Sequence, residues 1–303
     1  MLINKLRRIP VVLGDPRWWP FYIQRRFMEL KYRDTLSNWV AAIRPHSKIQ
    51  PNDNDIETHV KTLKTAGIFH LGQIFTDEQC KELREYFSNK LVADPYKDTS
   101  HKYPPHSKER QPDSHIAHHS PEDILNAPYL LEFVNSPRLL EIAAGFLGCK
   151  PTIGYMATWW SYNTKKGAQQ AEHYHRDVDD WRFLKLFIYL TDVEKNNGPH
   201  IYVQYSSRDE NLREIRRFTD KEVVEVFGPE NILELTARAG VGFFEDTFGI
   251  HKGQPVVDGT RLLFQVVYSM SPLPYGPKVP IAKISELKTS SQLDPWVNRI
   301  YLR

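Results

Sequence analysis

Residues 171–181 read AEHYHRDVDDW, with two histidines and three aspartates in eleven residues. In an extended strand successive side chains point to opposite faces. His173, His175 and Asp177 therefore share one face of such a strand, while Tyr174, Arg176 and Val178 share the other. Read as β, the stretch brings three potential metal ligands to one surface.

The surrounding sequence favours that reading. Beyond residue 150 the chain turns to short runs rich in aromatic and β-branched residues, separated by Gly, Asn, Asp and Pro. Strands are predicted at 152–161, 173–177, 183–190, 200–204, 242–244 and 261–270. Most connections are too short or too irregular for βαβ crossovers, so the sheets should be antiparallel. The expected fold is an all-β core with flanking helices (α+β), a double-stranded β-helix of the jelly-roll, cupin-like kind. The densely charged stretch 209–234 predicts an inserted helical excursion.

Helices dominate before residue 150. A helix is expected over 55–64, with Gly67 closing it into a strand at 68–71. Thr76 and Gln79 form a capping box, and Cys80, Leu83, Phe87 and Leu91 recur at helical spacing behind it. Ser136 as N-cap, Pro137 at the first helical position and Gly148 as the stop frame another helix. The organisation expected is a basic and aromatic arm over 1–50, a jelly-roll domain with N-terminal helices over 51–275, and an extension over 276–303.

The chain has 303 residues, 41% of them hydrophobic, and a formal net charge of +3. That size supports a substantial core, and so small a charge without a basic block speaks against a nucleic-acid binder. Two cysteines, Cys80 and Cys149, fit a reducing compartment, so a cytoplasmic location is expected. No apolar run reaches the length of about 18 residues that a transmembrane helix needs. The first 36 residues carry eight basic side chains against Asp15, Glu29 and Asp34, interleaved with Trp18, Trp19, Phe21 and Tyr22. Such an arm either packs on the domain through its aromatics or rests on an anionic membrane face as a peripheral contact.

Other polar clusters have competing readings. The segment 101–123 holds His101, His106, His115, His118 and His119 among prolines and charges, and reads as a long polar loop or lid rather than a second metal site. Asp179 and Asp180 are expected in a solvated loop, where with Arg176 and Arg182 they would favour a polar substrate. Tyr155, Trp159, Trp160 and Tyr162 lie on one strand as stacking platforms or as core.

A catalytic ferrous iron takes two imidazoles and one carboxylate on one face. His175 and Asp177 supply two ligands as an HxD pair, and His251 lies in the downstream stretch EDTFGIHKGQPVVDGTR. Arg261 follows ten residues later, at the start of the apolar run LLFQVVYSM. A buried Arg there needs an anion partner.

With HRD at 175–177, FLKLFIYLTDVEKNNGP at 183–199 and HKGQPVVDGTR at 251–261, the sequence over roughly 55–275 resembles the phytanoyl-CoA dioxygenase-like branch of the iron(II) and 2-oxoglutarate dependent oxygenases. The resemblance implies His175, Asp177 and His251 as iron ligands, and Arg261 as partner of the 2-oxoglutarate C5 carboxylate. It also implies Phe187, with Lys185 on the same face, as lining of the 2-oxoglutarate pocket. His173, on the ligand face but outside the motif, reads either as a residue behind the ligands or facing substrate, or as a structural histidine. Where the family carries a Gly-Ser-His turn after NGP, this chain has Tyr205, Ser206, Ser207 and Arg208. The activity implied consumes Fe(II)-bound 2-oxoglutarate and O2, releases succinate and CO2, and hydroxylates a polar small molecule, a saccharide-type or lipid-linked metabolite being the class expected. A carboxylate at 177 disfavours halogenation. The competing readings are a zinc-binding jelly-roll enzyme without redox chemistry and a non-catalytic jelly-roll binding protein.

Overall fold

The structure, a computed structural model, describes residues 14–46, 54–164, 166–287 and 293–303. Helices α1 (Trp18–Gln24), α2 (Leu30–Ala42) and α3 (Asn54–Ala66) precede strand β1 (Ile68–Gln73) and helix α4 (Asp77–Ser88). Gly67 stands between α3 and β1 at φ +82°, and a Cβ on it would lie 1.8 Å from the Tyr202 hydroxyl. Only glycine tolerates both the left-handed backbone and that contact. The predicted capping box on α4 is formed, with Gln79 N donating to Thr76 Oγ1 at 3.2 Å and Thr76 N to Gln79 Oε1 at 3.0 Å. Cys80, Leu83 and Phe87 are buried by this helix, but Leu91 lies beyond its end and is 49% exposed. The apolar period outran the helix, which stops at Ser88.

Strands β2 (Val92–Ala93) and β3 (Ile116–His119) flank a long loop, and helices α5 (Pro121–Leu125), α6 (Leu130–Val134) and α7 (Pro137–Leu147) follow. The His-rich segment is thus a loop only as far as residue 115. Its last two histidines belong to β3, because strand β4 (Thr152–Tyr162) pairs with 116–118. Gly148 ends α7 at φ +81°, as its position predicts.

The second half contains β4, β5 (Phe183–Tyr189), β6 (His200–Val203), α8 (Asp220–Phe227), β7 (Ile232–Leu235), β8 (Val241–Glu245), β9 (His251–Gly253) and β10 (Thr260–Ser269), with α9 (Pro295–Asn298) near the end. The charged excursion is α-helical only over Asp220–Phe227, capped by Thr219 and Glu222, with a single 3-10 turn at Pro229–Asn231 behind it. Gly228 at φ +75° and Pro229 end it, and the apolar residues behind them form a strand instead.

Seven strands form one antiparallel sheet in the order β1-β8-β5-β10-β4-β3-β2, and a smaller sheet runs β7-β6-β9. Phe187, Tyr189, Phe243 and Leu263 of the large sheet pack on Tyr202 and Leu235 of the small one, so the two sheets face each other as a jelly roll requires. On its other face the large sheet buries Leu184, Leu186, Ile188, Phe264 and Val266 against α4 and α7. Both faces of β5 are therefore covered, which explains why its run is apolar at every position but one. Each such side chain contributes roughly 1.5–3 kcal/mol on burial. Lys185 is the one charged side chain of β5, on the inner face.

The predicted strand 173–177 is not a regular strand. It attaches through single bridges, Tyr174 to Phe218 and His175 to His251. Asp177 N–H then leaves that ladder for Thr247 O at 2.8 Å, so pairing lasts only one residue on each side. Of the arm, Lys5, Arg7 and Arg8 lie outside the described residues. Phe21 is buried and meets Tyr275 edge to face at 5.4 Å, and Trp18 meets the same ring at 6.1 Å. Those two aromatics pack the arm onto the domain. No helix among the described residues is long and apolar enough to cross a membrane.

Candidate metal centre

His175 and His251 exchange both backbone hydrogen bonds, N–H to O, at 3.0 Å each. Such a pair points its side chains to one face, and the imidazole centroids stand 4.3 Å apart. Each ring is also fixed from behind. His175 Nδ1 meets His173 O at 2.8 Å, and His251 Nδ1 meets Gly249 O at 3.0 Å. A carbonyl only accepts, so both Nδ1 atoms carry a proton and both Nε2 atoms face outward. Asp177, two residues on and on the same face, places Oδ1 3.6 Å from His175 Nε2 and Oδ2 3.3 Å from His251 Nε2. One ligand atom from each of the three lies within 4.8 Å of the others.

The electrostatics suit a cation. Burial, and then the neighbouring His251, push the His175 imidazole down to about 3, so it is neutral near pH 7. Burial raises the Asp177 carboxyl, but the Lys185 ammonium and His251 outweigh it and hold it well below the usual carboxylate range. Lys185 Nζ sits 2.6 Å from Asp177 Oδ2 and 3.0 Å from Asp179 Oδ2. Burial alone would lower that ammonium, and the two carboxylates raise it instead. The Lys185 side chain therefore points at the ligand cluster and is occupied in holding it.

Arg261 enters from β10, opposite Ser161 of β4. It is 6% exposed, and its Nη2 donates to Ser161 Oγ at 3.1 Å. Its Nε and Nη1 are buried without a partner among the described residues. A Cβ on Gly253 of β9 would come within 3.8 Å of Arg261 Nη2, so the guanidinium lies between the two sheets. Phe187 stacks on Phe243 at 5.5 Å and tilts against His200 at 4.9 Å on the same inner surface.

Two residues here have no motif to announce them. Glu245 is completely buried, and its Oε1 lies 3.0 Å from His200 Nε2. Burial pushes the Glu245 carboxyl up to about 8 and His200 down to about 3, so both are neutral near pH 7. The available signal was strand alternation. In VGFFE, Glu245 shares the inner face with Phe243, and its register partner is Lys185.

The polar residues around this centre sort differently from one another. His173 is exposed, and its Nε2 meets Ala168 O at 2.9 Å, so of its two readings the structural one applies and it closes a turn. Asp179 and Asp180 are buried, not solvated. Asp180 accepts from Ser271 N at 2.7 Å and Trp181 N at 2.8 Å, tying two segments together. Arg176 donates to the carbonyls of Leu212, Ser206, Phe248 and Asn211, and Arg182 to Leu147 O, Ser37 and Asn38. These polar groups hold backbone rather than substrate. Trp160 and Tyr162 face the helices, while Trp159 faces the interior with His118 stacked on it at 5.3 Å.

The centre opens to solvent through a cleft of about 380 Å³ lined by Arg25, His175, Asp177, Asp179, Arg217 and Tyr275. A separate cavity of about 350 Å³, lined by Lys64, Arg182 and Phe248 among others, includes none of the three clustered residues.

No family model matches the chain, and no curated protein matches it in sequence. Solved structures do match. EctD from S. alaskensis in its apoform superimposes with a TM-score of 0.50 at 17% identity, covering 75% of this chain and 81% of that one. HygX from Streptomyces hygroscopicus, with nickel and 2-oxoglutarate bound, gives 0.50 at 14% identity over 70% of this chain and 85% of its own. The epimerase SnoN, in complex with Fe3+, alpha ketoglutarate and nogalamycin RO, gives 0.50 at 15% identity over 70% and 82%. The chain has the fold of these proteins, and the double-stranded β-helix expected from the sequence is borne out.

Proposed function

We propose that the protein is an iron(II) and 2-oxoglutarate dependent oxygenase that hydroxylates a small molecule, with His175, Asp177 and His251 as metal ligands and Arg261 as the anchor of the 2-oxoglutarate C5 carboxylate. One observation carries this reading. Two imidazole Nε2 atoms and a carboxylate share the inter-sheet space with a buried guanidinium whose Nε and Nη1 lack partners among the described residues. The triad alone suits zinc equally well, but zinc leaves those two donors unexplained. A planar guanidinium offering two adjacent N–H groups matches one carboxylate bidentately.

Iron(II) held there would supply oxygen activation, with 2-oxoglutarate consumed to succinate and carbon dioxide. The protein's own part is positioning. The carbonyls of His173 and Gly249 fix both imidazoles in the tautomer that presents Nε2. Lys185 holds Asp177 through Oδ2 and leaves Oδ1 turned to His175 Nε2. Phe187, Tyr189 and Phe243 exclude water from the space beside Arg261, where each polar contact gains strength.

The test is succinate release from 2-oxoglutarate by the iron-loaded protein, paired with 2-oxoglutarate binding in the absence of oxygen. His175→Ala should abolish turnover and weaken metal binding. Wild-type protein that loads metal yet neither binds nor consumes 2-oxoglutarate would end the proposal, and oxygen-independent activity with zinc would replace it.

A further inference from the structure

Antiparallel pairing places one more charged side chain beside the triad. Phe218 N–H donates to Tyr174 O at 2.8 Å, and the two residues form an antiparallel bridge. In that register Arg217 is the cross-strand neighbour of His175. Tyr174 and Phe218 both turn into an apolar cluster with Ile201, Val203 and Ile250. Their neighbours His175 and Arg217 must then turn the other way, into the cleft that both line. His175 is bridged on its other edge by His251. Arg217, His175 and His251 thus lie side by side across three extended segments.

The other cations of this cleft have protein partners. Arg25 donates to Val178 O at 3.0 Å, and Arg176 is held by four carbonyls. Arg216 pairs with Glu222 at 2.8 Å and lies over the Phe218 ring at 4.2 Å. The carboxylates Asp177 and Asp179 are taken by Lys185. The Arg217 side chain makes no hydrogen bond or ion pair within the described residues. Its charge nevertheless reaches His175 on one side and the half-exposed Tyr96 on the other.

Arg261 and Arg217 therefore approach the triad differently. Arg261 is buried between the sheets, and Arg217 is exposed at the mouth. We propose that Arg217 is the substrate-anchoring cation of this site, and that the substrate carries an oxyanion, a carboxylate or a phosphate group, which Arg217 binds beside the reacting centre. This rests on the oxygenase reading for its catalytic meaning, while the anion subsite itself rests on the geometry alone. A cation one strand from His175 holds one end of the substrate, and hence sets which of its carbons faces the metal.

The full chain, loaded with nickel(II) and saturated with 2-oxoglutarate so that Arg261 is occupied, is titrated with inorganic phosphate, with acetate and with chloride at matched ionic strength while thermal unfolding is followed. Phosphate or acetate should stabilise saturably beyond chloride, and which of the two does so identifies the substrate's anion. Arg217→Gln should weaken that apparent affinity about tenfold or more, the loss of one charge-assisted pair. Arg217→Lys should recover part of it, and Arg216→Gln should match wild type. Arg217 is exposed, so these variants should fold. Equal responses to all three anions, or an Arg217→Gln titration that overlays wild type, would overturn the assignment. A phosphate or acetate response that depends on Arg217 in a protein indifferent to 2-oxoglutarate would keep the anion subsite and remove the oxygenase reading.

Discussion

Replacing Arg261 with methionine should make the protein more stable without 2-oxoglutarate and abolish the stabilisation that 2-oxoglutarate gives. The reason lies in the donor inventory of one side chain. Arg261 is 6% exposed, satisfies Nη2 on Ser161, and leaves Nε and Nη1 without partners among the described residues. A buried unsatisfied donor costs about 1–3 kcal/mol, and a charged one more. Methionine has similar length and no polar atom, so it removes both orphans and frees only the Ser161 hydroxyl. The net gain for the 2-oxoglutarate-free protein should be about 1–3 kcal/mol. The same change deletes two charge-assisted hydrogen bonds to the carboxylate, each worth roughly 1.5–3 kcal/mol, so 2-oxoglutarate affinity should fall by about two to four powers of ten. Urea unfolding of the nickel-loaded protein measures both effects at once. With 2-oxoglutarate about 100-fold above the wild-type Kd, wild type should gain about 2.7 kcal/mol and Arg261→Met almost nothing. A variant that is destabilised without 2-oxoglutarate, or that gains as much from it as wild type, would show Arg261 to be a structural residue.

Asp180 makes a pH prediction. Burial pushes its carboxyl up to about 6, above the unfolded value near 3.9, so the native state holds its proton more tightly than the unfolded chain. Stability from this group is therefore highest below the unfolded pKa and is lost as pH rises through about 4 to 6, by about 3 kcal/mol in all. Asp180→Asn keeps an acceptor for Ser271 and Trp181, and chemical unfolding at pH 4 and pH 7 should show a correspondingly flatter profile. Gly67→Ala should destabilise by about 2 kcal/mol or more, through both the left-handed backbone and the collision with the Tyr202 ring, read as a lower denaturation midpoint. Lys185→Met should leave Asp177 and Asp179 facing each other without a counter-ion and weaken unfolding resistance of the metal-free protein by about 3 kcal/mol, with added metal restoring much of the difference.

Local signals were readable where a residue's role depends on its neighbours in the chain. Thr76 and Gln79 cap a helix within four residues, and Gly148 stops another through its own φ. The strand runs of β4, β5 and β10 carry their apolar pattern in the sequence, and each was found within a residue or so of its ends. The HxD pair and the distant His251 and Arg261 stood out because few side chains are suited to a metal or to a buried anion. What misled was polarity near the pair. Asp179, Asp180, Arg176 and Arg182 look like a wet, substrate-facing cluster in one dimension, yet the fold turns each of them onto backbone groups or onto a buried lysine.

The chain alone indicated most of its element types, its antiparallel jelly-roll character and a short roster of candidate ligands, because capping, alternation and side-chain chemistry act over a few residues. Tertiary structure decided which charges are free. Whether an arginine is tied to four carbonyls, as Arg176 is, or left open in the cleft, as Arg217 is, depends on strands that meet only after folding, since a hydrogen-bond partner tens of residues away leaves no trace in local pattern. The same holds for the Glu245 and His200 pair, joined across two sheets. Burial, which sets their protonation, is a property of the packed whole.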